Sequence, residues 1–248
     1  MIETGLHARN KPLYGILVVI ALFTVQSLTG KAGHALASWF SYARLDPDDI
    51  FAWQCVHHIV MLLFALAMVA VFSRPLKDNF GFQLGDSKTG MRYFLLFTAA
   101  LVVISLLYHV FTYLSGHPIT YDFPLNKRNV LGTLGFQLML SGPAEEILYR
   151  ALPVTLLIHT FGKSVKIKGS ITLEIILSSL LFSMAHVQWS LSPFVIDANL
   201  SQLFYAFAIG TVQGMAYQES RSVVYPILMH SISNVLMVGI GYLFAVLA

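Results

Sequence analysis

Ser141-Gly142-Pro143-Ala144-Glu145-Glu146-Ile147-Leu148-Tyr149-Arg150 runs directly into the apolar stretch 151–158, in a part of the chain whose neighbouring residues are nearly all hydrophobic. Two adjacent carboxylates and an arginine therefore lie where lipid-facing residues are expected. An ionisable side chain inside a membrane span costs at least ~2.5–3.5 kcal/mol, and such groups usually mark a functional site. The stretch predicts an active site inside a membrane.

The composition indicates a membrane protein. Of the 248 residues, 56% are hydrophobic and 11% are charged, whereas a soluble domain carries about 25% charged residues. The length predicts one integral membrane domain over residues 1–248. No basic tract with interleaved aromatic residues is present, so nucleic-acid binding is not supported. The single cysteine, Cys55, excludes an intrachain disulfide and any multi-cysteine metal site.

The hydrophobic runs predict an all-α, polytopic transmembrane helix bundle with about seven spans. The runs are continuous rather than alternating, which argues against a β-barrel. Buried in lipid, the backbone must satisfy its own hydrogen bonds, which requires helices. The predicted spans are 12–30, 50–72, 93–115, 130–161, 171–190, 200–218 and 224–247.

The fourth run is too long for one straight span, and Gly142-Pro143 divides it. Proline suits the first turn of a helix. We expect a broken helix that ends near Ser141 and restarts at Pro143. Glu145 and Glu146 would then lie in a first turn, where the helix dipole favours negative charge.

Charge distribution predicts a cytoplasmic N-terminus, because ten Lys and Arg residues on one side of the spans face four on the other. The first side has Arg9, Lys11, Arg74, Lys77, Lys88, Arg92, Lys163, Lys166, Lys168 and Arg221, and the second has Lys31, Arg44, Lys127 and Arg128. The first hydrophobic run is long and lacks a nearby small-residue cleavage site, so we expect an uncleaved span rather than a signal peptide. Loop 31–49 would be the largest segment on the far side.

Helical spacing assigns the two glutamates different surroundings. Glu146 and Arg150 are four residues apart and share one helix face, where an ion pair would lower the cost of both charges. Glu145 is rotated by about 100° from Glu146. One carboxylate can therefore be structural while the other takes part in proton transfer.

Two later segments carry further polar candidates. Phe182 and His186 are one turn apart, and so are His230 and Asn234. A carboxylate with a histidine can activate water, while a second histidine with an amide can stabilise an oxyanion. Peptide hydrolysis requires both functions.

Glu-Glu-x-x-x-Arg, Phe-x-x-x-His and His-x-x-x-Asn, on separate helices, resemble the three motifs of the CPBP family. This family comprises the type II CAAX prenyl proteases, or Ras-converting enzymes, and their prokaryotic bacteriocin-processing and self-immunity relatives. The resemblance covers about 140–236 and includes the text Tyr225-Pro226-Ile227-Leu228-Met229-His230. Residue 151 is alanine where many members have glycine.

The resemblance implies a glutamate-dependent intramembrane endopeptidase with a catalytic core over 140–236. Glu145 and His186 would activate water, and His230 and Asn234 would stabilise the oxyanion. Supporting residues would be Glu146, Arg150 and Phe182. We expect no cofactor, and zinc held by the Glu and His side chains is the alternative. The implied location is the plasma membrane of a prokaryote.

The expected partners are the lipid bilayer and a membrane-tethered or hydrophobic peptide, such as a CAAX-type terminus or a peptide precursor. Substrate identity and oligomeric state stay open. The main alternative is a non-proteolytic immunity or scaffold protein of the same fold. A transporter with a Glu–Arg gate is weaker, because matched broken helices are not detectable.

Each polar feature also has a simpler interpretation. The ion pair could be purely structural, and the histidines could be packed or could bridge helices. His57 and His58, with His109 and His159, could suggest a haem site, but no spacing selects a pair. A polar patch of the second span that packs near the site is the preferred interpretation. Cys55 is more simply a small packing residue.

Overall fold

The structure is a computed structural model that describes residues 11–191 and 194–247. Within this part the chain forms seven helical stretches, which confirms the all-α bundle. They are α1 Lys11–Ala37, α2 Ala52–Leu76, α3 Ser87–Leu114, a composite helix over Lys127–Phe161, α7 Leu173–Met184, α8 Leu200–Ser220 and α9 Val224–Leu247. The polar start of the chain, with Arg9, lies outside the described residues.

Four of the described helices are long and apolar enough to cross a membrane. They cover Pro12–Ala37, Ala52–Leu76, Ser87–Leu114 and Val224–Leu247, with lengths of 26, 25, 28 and 24 residues. At 1.5 Å per residue, even the shortest extends for about 36 Å, which exceeds the ~30 Å hydrocarbon core. The predicted count of seven spans is therefore approximate.

The distribution of polar and apolar side chains in the bundle is that of a membrane protein. Large apolar side chains such as Ile16, Leu96 and Leu107 are exposed on its outside. Charged and amide side chains such as Arg150 and Gln213 are fully buried. Lipid can surround the exposed apolar side chains, and polar partners inside the bundle stabilise the buried charged and amide groups. The chain is thus a membrane protein, while its orientation stays a prediction.

The composite helix takes a different form from the predicted break. Its parts are α4 Lys127–Phe136, the π-helical turn π1 Gln137–Ser141, α5 Gly142–Glu146, the π-helical turn π2 Ile147–Ala151 and α6 Leu152–Phe161. The interruption lies at the predicted place, but the helix does not end there. A wide turn relieves the contact that α geometry would create between the Pro143 ring and the carbonyl four residues earlier.

Since the helix does not start at Pro143, the expected dipole stabilisation of Glu145 and Glu146 was wrong. Both residues lie in the interior of a continuous helix, between the two π turns. Side chains of other helices must instead hold the carboxylates.

The fifth predicted span, 171–190, was also wrong in extent. Helix α7 has 12 residues, or about 18 Å, which is too short to cross a bilayer. The oxygen of Thr172 caps its first turn. After Met184 the chain turns and enters the hairpin of β3 Gln188–Leu191 and β4 Phe194–Asp197. A second hairpin pairs β1 Lys166–Lys168 with β2 Ile171–Thr172, and neither was predicted.

Helix α1 continues to Ala37, so Lys31 belongs to a helix and not to a loop. The remaining α1–α2 loop is tied down by two of its acidic residues. Asp46 accepts hydrogen bonds from the backbone N–H groups of Phe51 and Ala52, at 2.7 and 2.8 Å. Asp48 accepts one from the Asn129 amide at 2.9 Å.

Glycines bring the buried helices into close contact. A Cβ added at Gly142 would lie 2.3 Å from Ser231 Oγ and 2.8 Å from the Ile227 carbonyl oxygen on α9. A Cβ at Gly210 would lie 2.6 Å from Arg150 Nη2, and one at Gly214 would lie 2.8 Å from Ile175. Gly210 and Gly214 therefore allow α8 to pack closely against the composite helix and α7.

We expect Gly142→Ala to lower the free energy of unfolding by about 1–3 kcal/mol, because the methyl group would force α5 away from α9. Thermal unfolding in a mild detergent measures this change. Gly135→Ala on the same composite helix is the matched control, since nothing lies within 4 Å of its added Cβ. The control should be neutral or slightly stabilising, and equal unfolding temperatures for both variants would contradict the packing argument.

Candidate active site

The motif residues singled out in the sequence come from three helical regions. Glu145 and Glu146 lie on α5, and Arg150 on π2. His230 and Asn234 lie on α9. The third region is the end of α7, which carries Phe182, with His186 in the turn just beyond it.

Glu146 and Arg150 form the predicted ion pair in the centre of the bundle. Both side chains are fully buried, and Arg150 Nε lies 3.5 Å from Glu146 Oε2. The guanidinium also donates to the Tyr149 carbonyl at 2.9 Å and to Gln213 Oε1 at 3.3 Å. Its Cζ lies 4.4 Å from the centre of the Phe182 ring. Arg150 is therefore fixed from several directions.

His230 joins this pair to the second glutamate. Its Nδ1 donates to Glu146 Oε1 at 2.7 Å. Its Nε2 lies 3.7 Å from Glu145 Oε2 and 3.5 Å from Ser141 Oγ. The hydrogen bond at Nδ1 fixes the orientation of the ring, so that Nε2 is presented to Glu145.

Glu145 has the different surroundings that the helical rotation predicted. It is 18% exposed, whereas Glu146 is fully buried. Its Oε1 lies 3.1 Å from His58 Nε2. Glu145 thus contacts imidazoles on both sides and has access to open space.

His58 is a site residue that the sequence analysis did not select. Its Nδ1 donates to the Gln54 carbonyl at 3.0 Å. A neutral ring that donates from Nδ1 has no hydrogen on Nε2, and a carboxylate has none either. The contact between His58 and Glu145 therefore requires one shared proton. The only sequence signal was the polar patch of the second span, which does pack against the site.

His186 and Glu145 face a common cavity of about 190 Å³, which we call the inner cavity. His186 Nδ1 lies 3.0 Å from the Phe182 carbonyl oxygen and donates to it, leaving Nε2 as the basic nitrogen. The Phe182 and His186 rings meet edge to face at 5.0 Å, as their spacing predicted. A water molecule needs about 30 Å³, so the cavity can hold several.

Asn234 lies on the other side of Glu145. Its amide nitrogen donates to Gln137 Oε1 at 2.8 Å and to Ser141 Oγ at 3.0 Å. It lines a separate cavity of about 300 Å³, the loop-side cavity, together with Glu145 and His58. Both hydrogens of the predicted oxyanion donor are therefore already used within the protein.

The remaining sequence candidates lie elsewhere. His109 donates to the Ser105 carbonyl at 2.7 Å and stacks on Phe244. His159 pairs with Asp78 at 3.0 Å. The structure therefore does not bring these two histidines to His57 and His58. Among the described residues, no three His, Cys, Asp or Glu side chains meet in the arrangement of a metal site.

A larger cavity, of about 730 Å³, lies at the opposite end of the bundle. It is lined by Asp78, Lys166 and Glu219, among others, and by none of the site residues. Its size therefore carries no argument for catalysis.

Comparison with known proteins identifies one family. Residues 127–236 match the family model described as type II CAAX prenyl endopeptidase Rce1-like. The match includes all of the motif residues and excludes α1–α3, where His58 lies. No curated protein and no solved structure matched the chain.

We expect Arg150→Ala to reduce the amount of folded protein, because it leaves Glu146 buried without its cation. Loss of one partner of a buried ion pair costs about 3–5 kcal/mol. The yield of monodisperse protein in detergent and its thermal unfolding measure the effect. Arg128→Ala is the control, because the Arg128 side chain is 46% exposed and pairs with Asp48 at the surface. It should change neither the yield nor the unfolding temperature. Wild-type behaviour of Arg150→Ala would contradict the structural role.

Proposed function

Because residues 127–236 are an Rce1-like region of the type II CAAX prenyl endopeptidase family, we propose that the chain is a glutamate-dependent intramembrane endopeptidase. One observation carries the proposal. Glu145 is the carboxylate that faces cavities large enough for several water molecules and contacts two imidazoles, while the adjacent Glu146 is buried against Arg150.

In the proposed reaction, a water molecule in the inner cavity lies between Glu145 and His186. Glu145 accepts one of its protons, and the oxygen attacks the carbonyl carbon of the scissile peptide bond. His186 Nε2 orients the water, since its Nδ1 is held by the Phe182 carbonyl. The product of this step is a tetrahedral intermediate with a negative oxygen.

His230 and Asn234 would stabilise that oxygen. A protonated His230 donates from Nε2, and its Nδ1 remains on Glu146. Asn234 must exchange an internal acceptor, either Gln137 or Ser141, for the substrate oxygen. This exchange couples the amide to substrate binding.

Collapse of the intermediate breaks the carbon–nitrogen bond. The proton on Glu145 is transferred to the leaving amine, which restores the carboxylate. His58 holds Glu145 in position throughout, because their contact shares one proton. Glu146 and Arg150 orient His230 and do not contact the reacting atoms.

The substrate in this proposal is a membrane-tethered or hydrophobic peptide, of CAAX type or from a peptide precursor. The bilayer surrounds the site and limits access to segments that partition into it. Each step uses side chains of this chain alone. If zinc held by the Glu and His side chains were required, metal chelators would abolish turnover. The metal-free reaction proposed here is insensitive to them.

We expect Glu145→Gln to abolish cleavage and leave the protein folded. General-base catalysis contributes about 10²–10⁴-fold, and an amide cannot accept the proton. Comparative membrane peptidomics of cells with equal levels of wild-type and variant protein measures this effect. Peptides or trimmed protein termini that appear only with the wild type identify the substrate.

Glu219→Gln, in an exposed side chain, is the matched control and should keep the wild-type peptide pattern. Full cleavage by Glu145→Gln would disprove its role as the base. A further outcome is that cleavage products are absent for both proteins while Glu145→Gln still rescues the phenotype of cells that lack the wild-type protein. In that case the immunity or scaffold function is correct instead.

We expect His58→Phe to lower kcat by at least about tenfold with little change in KM, because Glu145 loses its hydrogen-bond partner. His58→Gln retains an amide donor near the position of Nε2 and should recover part of the loss. Turnover of the peptide found by peptidomics measures both variants. His117→Gln, in an exposed loop, is the control, and equal rates for His58→Phe and wild type would contradict the positioning role.

A further inference from the structure

A third cavity opens beside the site, between α1, the end of α7 and β3. Its volume is about 520 Å³, and we call it the lateral cavity. Gly30, His57, Tyr149 and Ala185 line both this cavity and the inner cavity. The lateral cavity therefore adjoins the inner cavity, which Glu145 lines.

Among the described residues that line the lateral cavity, Lys31 is the only lysine, arginine, aspartate or glutamate. Its ammonium lies 3.6 Å from the centre of the Trp189 ring. No carboxylate of the described residues pairs with it. The Lys31 side chain is exposed, so its ammonium is accessible to an anionic group that enters the cavity.

Gln26 provides a second, independent polar group. Its side chain is 4% exposed, and Nε2 donates to the Leu148 carbonyl at 3.0 Å. This bond fixes the amide, yet Oε1 has no hydrogen-bond partner among the described residues. A buried acceptor without a donor costs about 1–3 kcal/mol. The unpaired Oε1 is itself buried, so a peptide N–H reaches it only if the wall of the cavity moves.

Gln26 and Lys31 are five residues apart on α1, or about 7.5 Å along its axis, and are turned by about 140° from each other around it. Both line the lateral cavity, so a peptide that fills it passes both side chains. Of the two, only Lys31 offers the peptide an ionic contact.

We propose that the lateral cavity binds the part of the substrate on one side of the scissile bond, and that Lys31 pairs with a carboxylate of this peptide. The carboxylate is either the C-terminus or an acidic side chain. The inference rests on the proposed function, because it assigns part of the specificity of the same site. It makes Lys31 a binding residue that lies outside the region matched to the family.

Binding to the Glu145→Gln protein in nanodiscs tests this without turnover. The probes are three degenerate pools of apolar decapeptides: one with a free C-terminal carboxylate, one with a C-terminal amide, and one amidated pool with a single aspartate. We expect the carboxylate to improve affinity by about tenfold, as for a hydrogen bond to a charged group. Preference for the first pool assigns a C-terminal carboxylate, and preference for the third assigns an acidic side chain.

Adding Lys31→Met should remove the preference, and adding Lys31→Arg should retain it. Lys163→Met, at an exposed position, is the control and should behave as Glu145→Gln alone. Equal affinity for all pools, or a preference that survives Lys31→Met, would overturn the inference. Failure of the proposed function would appear separately, as the absence of cleavage products in the peptidomics comparison.

Discussion

The buried contact between Glu146 and Arg150 is the interaction on which the rest of the site depends. Neither charge can be solvated inside the bundle, so each requires partners from other helices. Arg150 reaches Gln213 on α8, and Glu146 reaches His230 on α9. The composite helix is thereby bound to two neighbours, and the ring of His230 acquires its orientation from the same contact.

This arrangement separates two chemically identical residues. Glu146 is enclosed between a cation and an imidazole, whereas Glu145 retains exposure and lines two cavities. The π turns before and after α5 place both carboxylates on a segment that departs from regular α geometry. Such turns are frequent at functional sites, because they redirect side chains without ending the helix.

The sequence predicted the features that follow from local spacing. Four-residue intervals placed Glu146 against Arg150 and Phe182 against His186, and the apolar runs predicted the long helices. Features that depend on how helices meet could not be predicted in this way. The contact of His58 with Glu145 joins residues 87 positions apart, and Lys31 was assigned to a loop because the end of α1 lacks an apolar pattern. The short length of α7 was hidden by the apolar residues of the following hairpin.

The meeting of cavities at Glu145 has a kinetic consequence. The loop-side cavity and the inner cavity both include Glu145 and His58, but only the inner cavity adjoins the lateral one. In the proposed binding mode, a peptide in the lateral cavity therefore leaves the loop-side cavity open. In the proposed reaction, water can then reach Glu145 through the loop-side cavity while peptide enters and leaves through the lateral one, so the two do not share one route.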